Sequence, residues 1–296
     1  MAQTSSLEIN SKVPSPRVEM LKAMMSRFFQ NKLAVFGGIF TFLLIFIALF
    51  APFIVPYDPT AQNYSMILQG PSAEHWFGTD EIGRDVLSRV IYGAQVSLQA
   101  GLISVGIALA IGVPIGLISG YYRGFWDEFI IMRITDAMLS FPPLVLALAL
   151  AAVLGAGLEN AMIAIGIVLT PNFIRLIRSE VIAHREREYV EAGKASGLKD
   201  WRIISKHILP NTMAPIMVQA TLAIASAIIS EASLSYLGLG TQPPTASWGA
   251  MLSAGQGYLA TAPWIALFPG LFIFLTVISI NLFGDGIRDM LDPKLK

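Results

Sequence analysis

Few residues of this 296-residue chain have the types and the spacing that catalysis or metal binding requires. The chain has no cysteine, which excludes disulfides, thiol catalysis and thiolate metal sites. Gly193-Lys194 does not complete a Gly-x4-Gly-Lys-Ser/Thr phosphate-binding loop, because Glu188 and Ala195 stand where a glycine and a hydroxyl residue are needed. Three histidines lack metal-ligand spacing such as His-Glu-x-x-His: His75, His184 and His207. The sequence therefore predicts no enzyme, and no cofactor or metal bound by this chain.

A cluster of ionisable residues between the first two apolar runs has the composition of a metal site: His75, Asp80, Glu81 and Asp85. A simpler explanation is that Thr79-Asp80 caps a helix, since carboxylates in a first helical turn are stabilised by the helix dipole. Asp85 and Arg89 would then form an ion pair four residues apart on that helix. We therefore predict the start of a helix here rather than a metal site.

Three ionisable residues lie in or beside apolar runs, where a charge is costly and indicates a pathway or a buried partner. Arg133 and Asp136 are three residues apart near a predicted membrane edge, so we expect them to pair, with a proton relay as the alternative. Glu231 lies inside an apolar run. Its carboxylate either lines a translocation path or makes a structural hydrogen bond near the outer surface.

The composition is that of a polytopic membrane protein. Hydrophobic residues make up 54% of the chain and charged residues 14%, with a mean hydropathy of +0.63. A soluble domain carries about a quarter charged residues. The net charge of zero argues against a nucleic-acid partner. Six apolar runs predict an all-α fold with six transmembrane helices, at residues 33–55, 96–118, 129–154, 158–174, 213–237 and 264–283.

These runs predict four parts along the chain. Residues 1–32 form an N-terminal arm with a short interfacial helix over 17–29, for which a disordered juxtamembrane tail is the alternative. Residues 33–93 hold the first crossing and an external loop. Residues 94–286 form the core with five crossings, and residues 287–296 a tail. In the second crossing, small residues four apart predict close packing against another helix: Gly112, Gly116 and Gly120.

The polar interval 188–210 reads as two short helices with a break at Gly197, which can take the left-handed conformation that closes a helix. We expect Asp200 to cap the second helix and Pro210 to end it. Small residues in the first helix would let a partner approach closely. This pattern favours a docking surface, and the plainer alternative is an ordinary surface helical hairpin.

The same interval resembles the coupling loop of ABC importer permeases, with its Glu-Ala-Ala-x3-Gly-x9-Ile-x-Leu-Pro pattern. Matching positions are Glu191, Ala192, Gly197, Leu209 and Pro210. Gly193 departs from the second alanine, and His207 stands where the isoleucine is expected. The resemblance implies that residues 180–211, called the coupling loop below, transmit force from ATP-binding subunits, with Glu191, Ala192, Gly193, Gly197, Leu209 and Pro210 at the contact.

Further stretches resemble the C-type subunit of the dipeptide/oligopeptide/nickel branch, at residues 77–89, 133–136, 230–240 and 291–293. The resemblance implies the type I ABC importer fold, in the bacterial cytoplasmic (inner) membrane. Its implied partners are a second homologous permease subunit forming a heterodimer, two ATP-binding subunits that hold ATP and Mg, and an external solute-binding protein. Peptides are the expected solute, with nickel complexes, opines and glutathione-like peptides as alternatives.

Basic residues predict the orientation in the membrane. Of the 20 lysines and arginines, 18 lie in the termini, in the connection after the second crossing and its edge at Arg133, or in the coupling loop and its approach from Arg175; the exceptions are Arg84 and Arg89. Because basic residues concentrate on the cytoplasmic side, both termini and the coupling loop are expected there.

Two other classes remain as alternatives. An ion-coupled secondary transporter would use broken helices, such as those at Phe141-Pro142 and Phe268-Pro269, together with intramembrane charges. A membrane-embedded hydrolase has no metal-ligand pattern to support it. Proton or sodium dependence of uptake would distinguish the secondary transporter from an ATP-driven one.

Overall fold

The computed structural model describes residues 25, 26 and 28–291, and regular structure in this part of the chain is helical. Its α-helices are α1 (Lys32–Ile54), α2 (Val86–Tyr122), α3 (Met132–Leu139), α4 (Pro143–Leu154), α5 (Leu158–Arg185), α6 (Glu188–Ala195), α7 (Asp200–Ile203), α8 (Leu209–Tyr236), α9 (Trp248–Gly255) and α10 (Trp264–Leu291). Two π-helical segments, Trp126–Ile131 and Ile204–Ile208, precede α3 and α8. Most of the interfacial helix predicted over 17–29 lies outside the described residues, as does the end of the tail.

The predicted membrane-spanning architecture is confirmed. Five helical stretches are long and apolar enough to cross a membrane, and a sixth arises if Trp126–Leu139 and Pro143–Leu154 act as one broken span. These two pieces meet at an angle of 100°. The break lies where Pro142 and Pro143 follow each other, and a proline disfavours helical backbone in the residue before it.

Helix α2 begins at Val86, ten residues before the predicted crossing, and the expected Thr79-Asp80 cap is wrong. Asp85 is the N-cap, and its Oδ2 accepts a hydrogen bond from the amide of Ser88 at 2.8 Å. A turn through Gly83, at φ +77°, separates Asp80 from the helix. The polar residues of the first turns are buried against the protein rather than exposed to lipid, so the apolar run alone underestimated the length of the helix.

The polar cluster before α2 forms ion pairs. His75 Nδ1 lies 2.8 Å from Asp85 Oδ1, and Arg84 Nε lies 2.6 Å from Asp80 Oδ2. Arg89 faces Asp80 at 3.5 Å, so the predicted Asp85–Arg89 pair is wrong: Asp85 is already engaged by His75 and its own helix. Among residues 25–291 apart from position 27, no group of three or more potential ligands could hold a metal ion.

The glycine face of α2 packs against α5, as predicted. A β-carbon added at Gly116 would lie 2.8 Å from the β-carbon of Ile177, closer than real contacts allow. Gly112 and Gly120 make equally close approaches to α5 one turn to either side. Two backbones therefore meet without intervening side chains, which is the packing that small residues permit in a membrane. The contact places the end of α2 beside the start of the coupling loop.

Candidate functional site

The first half of the coupling loop is a short helix closed by a glycine. Helix α6 is followed by Gly197 at φ +75°, the left-handed conformation that was predicted. The amide of Leu198 donates to the carbonyl of Gly193 at 3.1 Å, and the amide of Gly197 donates to that of Lys194 at 2.9 Å. This pair of bonds is a Schellman motif, which satisfies carbonyls at the end of a helix.

The second half differs from the prediction at both ends. Lys199, not Asp200, precedes α7, and the Asp200 carboxylate instead accepts a hydrogen bond from Tyr121 at 2.7 Å. Pro210 does not end a helix, because α7, the π-helical segment and α8 form one continuous stretch from Asp200 to Tyr236. Pro210 is the second residue of α8. The π-helical segment before it is wider than an α-helix, and the amide of Leu209 donates to the carbonyl of Ile204 five residues back.

One face of the loop is anchored and the other is open. Val190, Ile203 and Ile208 are fully buried in the same hydrophobic cluster as the inner residues of α2 and α5. The pattern residues Glu191, Ala192 and Gly197 are exposed, and Trp201 beside them is 65% exposed. Burying three aliphatic side chains fixes the loop as a folded unit, so that a force applied to its open face acts on the whole loop.

Gly193 is buried, but the space around it does not require the glycine that departs from the pattern. A β-carbon at this position would lie 3.5 Å from Leu198 Cδ1 and 3.8 Å from Ile203 Cγ1, which is ordinary van der Waals contact. The alanine of the pattern therefore fits here without displacing its neighbours. The half-buried His207 lies in the π-helical segment, beside the fully buried Ile208 that fills the anchoring position.

The open face of the loop carries charges of both signs, with exposed carboxylates at Glu186, Glu188, Glu191 and Asp200. Its exposed cations are Arg187, Lys194, Lys199, Arg202 and Lys206. Tyr189 Oη lies 2.8 Å from Nδ1 of His184, which ties α6 to the end of α5. Partial desolvation raises the pKa of the Tyr189 hydroxyl. The loop thus offers a charged, helical docking surface.

Comparison with known proteins decides the family. Residues 112–296 match the family described as the binding-protein-dependent transport system inner membrane component, and residues 19–71 match the N-terminal TM domain of oligopeptide transport permease C. The chain belongs to this family of importer permeases. It is a multi-pass permease subunit of the bacterial inner membrane, in the peptide branch that the resemblance predicted.

Similar curated proteins cover nearly the whole permease. The dipeptide transport system permease protein DppC of Alkalihalophilus pseudofirmus is 50% identical over 98% of this chain and 96% of its own. The glutathione transport system permease protein GsiD of Pectobacterium atrosepticum is 45% identical over 91% of this chain and 90% of its own. Both relatives are transport permeases, in agreement with the prediction that this chain is not an enzyme.

A solved structure agrees with the fold. The MetNI methionine ABC transporter in an inward-facing conformation aligns with a TM-score of 0.56 at 18% identity. The alignment covers 70% of this permease and 98% of the matched chain. The expected type I importer fold is therefore confirmed.

The predicted Arg133–Asp136 pair does not form in this permease. Asp136 Oδ1 is instead 2.6 Å from Nη2 of Arg175 on α5, and both side chains are about half exposed. Arg133 is exposed. A pair within α3 was the natural expectation, because Arg133 and Asp136 are three residues apart. In the structure α3 packs against α5, and Arg175 on α5 faces Asp136.

Glu231 is fully buried in α8. Its Oε1 accepts hydrogen bonds from Ser235 Oγ at 2.6 Å and from Thr241 Oγ1 at 3.3 Å. Ser235 Oγ in turn accepts from the amide of Thr241 at 2.9 Å, so the carboxylate fastens the loop after α8 back onto the helix. Of the two interpretations, the bonds to Oε1 favour a structural role, while Oε2 is buried without a hydrogen-bond partner among the described residues.

Asp127 and Arg178 form a buried ion pair near the coupling loop that was not predicted from the sequence. Asp127 is 3% exposed. Arg178 donates two hydrogen bonds to its carboxylate, from Nε to Oδ1 at 2.8 Å and from Nη2 to Oδ2 at 2.6 Å. Ser119 Oγ donates a further bond to Asp127. A usable signal existed, because Arg175 and Arg178 lie on one face of α5 and require acidic partners elsewhere in an apolar protein.

Proposed function

We propose that this permease forms the translocation path for small peptides and is driven through the open face of its coupling loop by separate ATP-binding subunits. The observation that carries the proposal is the division of that loop into a buried anchor and an exposed face bearing Glu191, Ala192 and Gly197. Peptide transport is supported by the names of the similar permeases, because a dipeptide and glutathione share peptide chemistry.

The proposed assembly contains a second homologous permease subunit as a heterodimer, two ATP-binding subunits that hold ATP and Mg, and an external solute-binding protein. The distribution of basic residues supports cytoplasmic termini and a cytoplasmic coupling loop. One side of α8 supports the path, because three serines on it are not fully buried by the chain's own helices: Ser226 is exposed, and Ser230 and Ser233 are half-buried. Beside them lies a cavity of about 380 Å³ lined by Ile229, Ser233 and Tyr236 among others.

The first experiment is a gentle detergent purification of the tagged permease, with mass spectrometry of the proteins that accompany it. We expect a second six-helix permease and one or two proteins with phosphate-binding loops. The complex is then reconstituted into proteoliposomes, and uptake of radiolabelled Ala-Ala is measured with the solute-binding protein outside and ATP enclosed. Uptake by this chain alone, driven by a proton or sodium gradient, would contradict the proposal and favour a secondary transporter.

A further inference from the structure

Tyr121, the last residue but one of α2, lies at the centre of a junction with the coupling loop. Its side chain is 4% exposed, and its hydroxyl donates to Asp200 Oδ1 at 2.7 Å. The guanidinium carbon of Arg185 lies 5.8 Å from the centre of the ring, and Nζ of Lys194 lies 5.7 Å from it. Both distances are within the range of cation–π attraction.

Four elements therefore meet on one side chain: the end of α2, the end of α5, helix α6 and the start of α7. In the described part of the chain, the bond from Tyr121 to Asp200 is the hydrogen bond that joins α2 to residues 186–208. Its neighbour Tyr122 is 56% exposed, and its ring lies edge-on to that of Tyr121 with the centroids 5.1 Å apart. The two adjacent tyrosines thus have different environments.

Helix α2 is one element that could carry a movement away from this junction. It runs for 37 residues, from the cap at Asp85 to Tyr122, and packs along α5 through its glycine face. A displacement of α6 and α7 must either move Tyr121 with them or break its hydrogen bond and its contacts with both cations. The first outcome moves the end of α2, and the second leaves α2 behind.

We propose that Tyr121 is a positioning residue that transmits movement of the coupling loop to α2, with Asp200 as its hydrogen-bond acceptor. This inference rests on the proposed function, since the movement is the one that ATP-binding subunits would impose. The Tyr121 hydroxyl fixes the position of α2 relative to α7, while the cation–π contacts of its ring with Arg185 and Lys194 add attraction between α2 and the loop.

The test uses the intact transporter in proteoliposomes with four variants. Tyr121→Phe removes only the hydroxyl and keeps the ring, and Tyr122→Phe is the matched control. Asp200→Ala removes the acceptor, whereas Asp200→Asn keeps an oxygen that can accept the same bond. For each variant we measure ATP hydrolysis, uptake of radiolabelled Ala-Ala and the ratio of the two. Hydrogen–deuterium exchange is followed over residues 117–122 and 188–208, without nucleotide and with ATP plus vanadate.

We expect Tyr121→Phe and Asp200→Ala to raise the ATP hydrolysed per peptide by about threefold, a modest factor because Asp200 is exposed. In both variants vanadate still alters exchange over 188–208 but no longer over 117–122. Tyr122→Phe and Asp200→Asn behave as the unmodified transporter.

Unchanged exchange and an unchanged ratio in Tyr121→Phe would overturn the inference. A lower melting temperature without a change in either readout would mean that Tyr121 only stabilises the fold, which also overturns it. If vanadate leaves residues 188–208 of the unmodified transporter unaffected, the proposed function itself fails. The exchange data therefore separate the two failures.

Discussion

At the scale of single residues, the coupling loop contains two glycines with opposite requirements. Gly193 lies inside α6 with room for a β-carbon, whereas Gly197 has a left-handed backbone at φ +75°. At Gly193 the structure does not require glycine, and glycine loses more conformational entropy on folding than alanine would. At Gly197 it is the backbone conformation, and not a neighbouring atom, that requires glycine, because no atom lies within 4 Å of an added β-carbon.

Substituting alanine at the two glycines is expected to change the stability of α6 in opposite directions. Gly193→Ala is expected to stabilise α6 by about 0.5–1 kcal/mol, since alanine is the better helix former. Gly197→Ala is expected to destabilise it by about 1–2 kcal/mol, since a β-carbon is disfavoured in left-handed backbone. Hydrogen exchange of the α6 amides in the purified complex measures both. Equal effects of the two substitutions would contradict the structure.

A bulkier substitution at Gly197 addresses function. Gly197→Val places a β-branched side chain in the left-handed region and on the exposed face. We expect peptide uptake to fall at least tenfold while the amount of permease in the membrane stays unchanged. Normal uptake by this variant, measured at matched membrane content, would remove the loop from the coupling mechanism.

At the scale of elements, α5 holds the segment around the bend by two ion pairs of different character. The Arg178–Asp127 pair is largely buried and bidentate, whereas the Arg175–Asp136 pair is about half exposed. Removing one partner of a buried pair leaves an uncompensated charge, but an exposed pair contributes little. The two pairs lie side by side along the same helix.

Substitutions in the two ion pairs should therefore lower the free energy of unfolding by unequal amounts. Arg178→Gln should destabilise the folded permease by about 3–5 kcal/mol, and Arg175→Gln by less than about 1 kcal/mol. The comparison is made by thermal unfolding in detergent. An equal loss of stability for the two substitutions would contradict the difference in burial between the two pairs.

The contact between α2 and α5 supports a second comparison within one helix. Gly116→Leu forces a side chain into the backbone of α5, whereas Gly106 on the same helix has no atom within 4 Å of an added β-carbon. We expect Gly116→Leu to abolish accumulation of folded permease and Gly106→Leu to be tolerated. Fluorescence-detected size exclusion of tagged variants provides the measurement. Equal tolerance of both substitutions would contradict the close approach of the two helices.

At the scale of the whole molecule, the sequence was sufficient wherever a local pattern has one physical solution. Long apolar runs must cross the membrane, and small residues four apart must face a close neighbour. Gly197 is recognisable because only glycine readily takes its backbone conformation.

Prediction failed where distant segments decide the outcome. Asp200 is a plausible cap until Tyr121, 79 positions away, is seen to donate to it. Pro210 is a different case: it is a plausible helix end until the adjacent π-helical segment is seen to continue into α8. Asp127 and Arg178 lie 51 positions apart, and nothing local in either neighbourhood specifies the other.

The orientation proposed for the whole permease has a direct test because the chain contains no cysteine. Single cysteines are introduced at Gly257 in the loop before α10 and at Ala192 in the coupling loop, both of which are exposed. In intact spheroplasts, a membrane-impermeant maleimide should label Gly257→Cys at once and Ala192→Cys only after lysis. Immediate labelling of Ala192→Cys would reverse the proposed topology.

The unbroken passage from Asp200 to Tyr236 makes the coupling loop one end of a lever. With 37 residues the stretch is about 55 Å long, well beyond the hydrocarbon thickness of a bilayer. If such a rod pivots about one end, a tilt of about 10° displaces the other by about 10 Å, which exceeds the width of an extended peptide backbone. A small rotation imposed at Asp200 is thus sufficient to open or close the space beside Tyr236, with no helix having to unwind.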